Sequence, residues 1–70
     1  MTATTYATTN EAPITIALRA AGVTRSEAQW FMRAIRLQQS VTRVYRGVLV
    51  SGYTDDTAVI PFPVVTIEPA

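Results

Sequence analysis

Thr24–Gln39, TRSEAQWFMRAIRLQQ, is the stretch whose reading decides the fold. Its first four residues form a capping box: the Thr24 hydroxyl can accept the Glu27 N–H while the Glu27 carboxylate reaches back to the Thr24 N–H. A helix therefore starts here. At about 100° per residue, Trp30, Ala34 and Leu37 fall on one stripe, which Val41, Val44 and Val48 prolong and Phe31 and Ile35 widen. Arg33, Arg36, Arg43 and Arg46 gather on the other side, with Met32 among them. The pattern predicts an amphipathic helix from about Arg25 to Gln39. Trp30 and Phe31 are expected in the core, because a small domain needs its large aromatics for burial. An exposed Trp30, Phe31 or Met32 would instead be an anchor for a partner.

Past Gln39, propensity and periodicity disagree. Val41, Thr42, Val44 and Tyr45 favour extended backbone although their spacing continues the helical stripe. The β-branched run favours a helix ending near Ser40 and a strand from about Thr42 to Val50. Gly52-Tyr53-Thr54-Asp55-Asp56-Thr57 has the composition of a turn. Ala58-Val59-Ile60 and Val64-Val65-Thr66-Ile67 are strand-like, but Pro61 and Pro63 remove two ladder donors, which restricts this segment to an edge strand, a bend or an arm leaving the domain.

On the N-terminal side, Pro13–Ala21, PITIALRAA, is ambiguous. Ile14, Ile16 and Leu18 alternate as in a half-buried strand, yet Pro13 suits a first helical turn and the Ala-rich end suits a helix. A short helix or turn ending at Gly22 is the preferred reading. Residues 1–12, MTATTYATTNEA, are rich in Thr and Ala with one aromatic, Tyr6, and read as an extended arm able to add to a sheet edge, or else as a mobile tail. The expected fold is thus α+β: one amphipathic helix on a small antiparallel sheet or hairpin in residues 13–70, with extended segments at both chain ends.

Seventy residues make one domain at most, near the size at which folding alone is marginal. Cys and His are absent, so neither disulfides nor a soft-metal site can add stability, and partner contacts are the remaining source. Hydrophobic residues form 49% of the chain and mean hydropathy is +0.20, which leaves apolar surface a monomer has difficulty covering. Every basic residue is Arg. Residues 19–46 carry +5, while Glu11, Asp55, Asp56 and Glu68 give the flanks −4. That polarity suits head-to-tail association or a basic face meeting an acidic partner, against the plain alternative of a solvated helix face.

With no His, Cys or Lys, no nucleophile–base pair can be assembled, and the chain is expected not to be an enzyme and to take no cofactor or metal. Asp55 and Asp56 are read as turn formers, with too few oxygen ligands around them for Ca²⁺ or Mg²⁺. No run approaches the roughly 20 apolar residues of a membrane-spanning helix, and the N-terminus lacks the pattern of a secretory signal, so a soluble intracellular or virion protein is expected. Two functional classes remain. The favoured one is an assembly or interaction protein, such as a decoration, cement or minor component of a phage particle or other complex, bound to its own copies or to a larger structure. No motif carries the viral placement. Tyr6, Arg33, Arg36, Arg43, Phe62 and Val64 are the candidate partner-binding residues: Arg for its planar fork of donors, Tyr6 and the stiff Pro61–Val65 segment for docking across a neighbour. The alternative is a nucleic-acid regulator, since Pro13–Gln39 would make a helix-turn-helix and Thr42–Val65 a wing, although the net charge of +1 is low for a DNA binder. A small inhibitor docking on an enzyme is a third reading.

Overall fold

The computed structural model describes residues 3–38 and 40–70. In chain order the elements are β1 (Thr4–Ala7), α1 (Ala12–Ala20), α2 (Arg25–Gln38), β2 (Ser40–Tyr45), β3 (Val48–Asp55) and β4 (Phe62–Pro69). The strands form one antiparallel sheet in the order β1-β4-β3-β2. The fold is α+β with a small sheet, as the sequence predicts, but it has two helices.

Pro13–Ala21 resolves as helix. Pro13 sits in the first turn of α1, where its missing N–H has no intrahelical partner to lose. The Asn10 side chain accepts the Ala12 N–H just ahead of it. At the other end, the Val23 N–H donates to the Leu18 carbonyl and the Gly22 N–H to that of Arg19, a Schellman closure that carries Val23 into the core. The apparent strand alternation arises because Ile14 and Leu18, four apart, are fully buried while Ile16 faces solvent. Both bonds of the capping box are formed at the start of α2, at 2.9 Å and 3.2 Å.

The phase of α2 differs from the expected stripe. Ala28, Phe31, Met32, Ala34 and Ile35 are buried, whereas Trp30 and Leu37 are 44% and 77% exposed. The periodicity had joined Val41, Val44 and Val48 to the helix, but the chain has already entered β2, and the buried arc lies one position round from Trp30. Met32 lies in the core rather than on the Arg side.

The β2–β3 hairpin turns at Arg46-Gly47, earlier than expected. Both residues have positive φ (49° and 82°), and Tyr45 pairs with Val48, so this is a two-residue loop whose mirror-type twist matches the strands. Gly52, expected in a turn, lies inside β3 opposite Val41 and Val65. Arg46 occupies a conformation costly for a residue with a Cβ. Its guanidinium offsets that cost by bonding the Glu27 carboxylate and, at 2.8 Å, the Gly22 carbonyl, which ties the turn to the start of α2.

These bonds hold the Glu27 carboxyl at a pKa of about 2, the Arg46 hydrogen bonds contributing most and the Thr24 N–H next. A depressed carboxylate pKa adds stability that is complete above the ordinary value of 4.5 and disappears as pH falls toward 2. The stability difference between wild type and Arg46→Met is therefore expected to be largest above pH ~5 and to shrink as pH falls through ~2, down to the part carried by the Gly22 carbonyl, which does not titrate. Thermal melts across that range, with NMR titration of the Glu27 carboxyl, check it. A Glu27 pKa unchanged by the substitution would mean that the tether does not hold it.

β4 is a central strand, not an edge or a departing arm. The Pro63 carbonyl accepts the Thr8 N–H, on the β1 side. Because N–H and C=O of one strand residue point to the same edge, the missing donors of Pro63 and Pro69 face past the two ends of the shorter β1, and the β3 ladder loses nothing. Residues 4–7 are likewise not a separate arm but the strand that covers β4, with Tyr6 opposite Val65 and packed against the core.

Candidate interaction surface

Strand alternation sorts the sheet into two faces. Val41, Tyr45, Val50, Gly52, Pro63 and Val65, the buried positions of the sheet, point to one side, where α2 lies across β2, β3 and β4 with α1 packed beside it. Val44, Leu49, Tyr53, Phe62 and Val64 point to the other side, with Thr42, Ser51 and Thr66 among them. No described element covers this second face. It is apolar and hydroxyl-bearing, the Thr5 and Thr66 hydroxyls bonding each other at 3.0 Å. At its edge the β3–β4 connection lifts Val59 and Ile60 into solvent, Val59 completely.

By the same alternation, the charged side chains on the open face are carboxylates, Asp55 and Glu68, with Asp56 next in the chain. The Asp55 carboxylate accepts the Thr57 N–H and hydroxyl, which holds its pKa below the usual range and fixes the turn. All six Arg belong to the helix layer or to β2 and its turn. Arg36 bonds Glu11 at 3.0 Å across the two helices, and Arg46 bonds Glu27. Folding therefore moves Glu11 onto the basic side. The helix side carries +4 and the sheet side −3.

The candidate residues divide between these surfaces. Phe62 and Val64 lie together on the open face, two residues apart on β4. Tyr6 is half-buried on the helix side of β1. Arg33 and Arg36 line a polar groove of about 380 Å³ between the helices, with Gln29, Thr15 and Glu11. Arg43 stands apart from them, its guanidinium 4.7 Å from the ring centre of Trp30, beside a shallow groove of about 300 Å³ lined also by Ser26, Glu27 and Tyr45. The helix phase leaves Trp30 at the surface, and the stack orders its ring there.

Three residues that the sequence reading did not select, the exposed Val44 and Tyr53 and the half-buried Leu49, complete the open face. Their signal was the strand register, which a single sequence leaves undecided. Among the described residues, no group of three or more acidic side chains is placed to hold a metal ion, and no helix is long and apolar enough to cross a membrane. Compared with protein-family models, curated proteins and solved structures, the chain matches none.

Proposed function

We propose that this chain is a non-enzymatic assembly protein that associates with copies of itself through the open face of its sheet. The observation that supports this reading is that face: four strands covered by helices on one side only, with Val44, Leu49, Tyr53, Phe62 and Val64 exposed or half-exposed on the other. An antiparallel sheet can leave one face in water when that face is polar. Here the solvated face sets Val44, Leu49, Tyr53, Phe62 and Val64 among hydroxyls and carboxylates, and Val59 and Ile60 are exposed in the β3–β4 connection, more apolar surface than a solvated sheet face needs.

Replacing Val44 and Tyr53 together with Gln tests it. Both side chains are exposed, so the fold is expected to be kept. Light scattering after size exclusion, run over a wide concentration range, is expected to show a wild-type mass that rises with concentration and a variant that stays monomeric with an unchanged melt. A wild type monomeric at every concentration, or a variant that associates as well as wild type, would sink the proposal.

A second reading is favoured by one feature. α1 and α2 are joined by a short turn, Ala21–Thr24, and the exposed stripe of α2 carries Arg25, Gln29 and Arg33 with no acid, which supports the helix-turn-helix expectation. A salt-dependent mass shift on adding random duplex DNA, weakened in Arg25→Ala/Arg33→Ala, would move the nucleic-acid reading to first place.

A further inference from the structure

We infer that the contact is head to tail, the open sheet face of one molecule seated on the helix layer of a second copy. The inference rests on the assembly reading and names its geometry. Charge selects it. A sheet-to-sheet pairing sets −3 against −3, and with aligned strands it brings carboxylates together: with the twofold axis along the strands, Asp55 approaches its own symmetry mate, and with the axis across them, Asp55 approaches Glu68. A helix-to-helix pairing opposes the Arg-bearing layers, each +4. Only sheet on helix sets the −3 side against the +4 side.

Shape agrees. The helix layer is itself partly apolar outside, with Ile16, Trp30 and Leu37 exposed between the Arg side chains. Helices on a sheet is the packing this chain already makes internally, so a copy added to the open face repeats a known layer contact. An 8-residue strand spans about 26 Å and a 14-residue helix about 21 Å, so the two faces match in length. Because the two surfaces differ, the contact does not close on itself in a pair, and association continues into a ring or a filament.

Two variants, each blocked on one face, test this. Val44→Gln/Tyr53→Gln blocks the sheet face, and Arg25→Glu/Arg33→Glu blocks the helix face. All four positions are exposed, and circular dichroism with thermal melts checks that both variants fold. Losing two apolar contacts is expected to weaken the sheet-side contact on the order of 100-fold. Each variant alone is expected to be monomeric at concentrations where wild type is oligomeric. Mixed, they are expected to form a 1:1 complex of twice the chain mass that grows no further and weakens as salt rises. A helix-blocked variant that still dimerises alone would overturn the inference, leaving the open-face assembly reading standing if the contact is sheet to sheet and removing it if the contact is edge to edge. Two folded variants that fail to combine when mixed, beside an oligomeric wild type, would overturn it as well. A monomeric wild type would instead remove the assembly reading itself.

Discussion

Phe31→Ala is expected to remove about 3–5 kcal/mol of stability, half or more of what holds the chain folded at 25 °C. The side chain is fully buried at the centre of the core, where α2 crosses β3. Truncating a buried Phe costs about 3–5 kcal/mol, through lost transfer energy and the cavity left behind. A 70-residue domain holds only about 4–10 kcal/mol in total. Gly52 shows why the site cannot adjust. A Cβ built on Gly52 would stand 3.1 and 3.2 Å from two carbons of the Phe31 ring and 3.0 Å from the Val64 carbonyl oxygen, which belongs to the backbone and cannot swing aside. The ring thus lies flush against bare backbone. Gly52→Val is accordingly expected to cost about 1–3 kcal/mol from the opposite direction, by overfilling, whereas Ile35→Val, which removes one methyl group from the same core, is expected to cost only about 1 kcal/mol. Urea melts of the three variants at low protein concentration, where association contributes nothing, give the comparison. A Phe31→Ala protein within about 1 kcal/mol of wild type would contradict the packing of α2 on β3.

The contrast between Phe31 and Trp30 shows what was legible in the sequence. The capping box is local chemistry, contained in four residues, and it placed the start of α2 correctly. The phase of the buried arc is not local, because it depends on which residues after Gln39 still belong to the helix. The expected stripe held Phe31, Ala34 and Ile35, which are buried, but the assumption that a small domain buries all its large aromatics wrongly added Trp30, and Leu37 with it. Trp30 falls outside the buried arc, where Arg43 of β2, thirteen positions along the chain, stacks on its ring. The centrality of β4 was hidden for a related reason. Pro63 forbids a central strand only if its missing donor faces a ladder, and parity against a β1 only four residues long decides that. Of the candidate surface, Phe62 and Val64 were found from their stiff segment, while Val44, Leu49 and Tyr53 required the register. The charge polarity was visible in the sequence, but folding set its faces by moving Glu11 beside Arg36.

Removing residues 1–8 is expected to destabilise the domain by about 3–5 kcal/mol, combining ladder hydrogen bonds worth about 1 kcal/mol each with burial of Tyr6 worth about 2 kcal/mol. As a free arm, this segment could be deleted without touching the fold, and any loss of assembly would report on assembly alone. As β1 it pairs Thr4–Ala7 with Val64–Ile67 and lays Tyr6 against the core. Without it, the backbone groups of Val65 and Ile67 that face β1 lose their partners, and β4 becomes a long open edge of the kind that pairs with foreign strands. The truncated chain is therefore expected to melt far below wild type and to aggregate, a gain of association that has nothing to do with the head-to-tail contact. Tyr6→Ala separates the parts: it keeps the strand's backbone, loses the packing, and is expected to cost about 2 kcal/mol without opening the edge. A truncated protein that melts like wild type would show that the first strand contributes nothing to the fold. Interface mapping by deletion would then be sound, whereas a sheet that depends on β1 restricts it to substitutions on exposed positions such as Val44 and Tyr53.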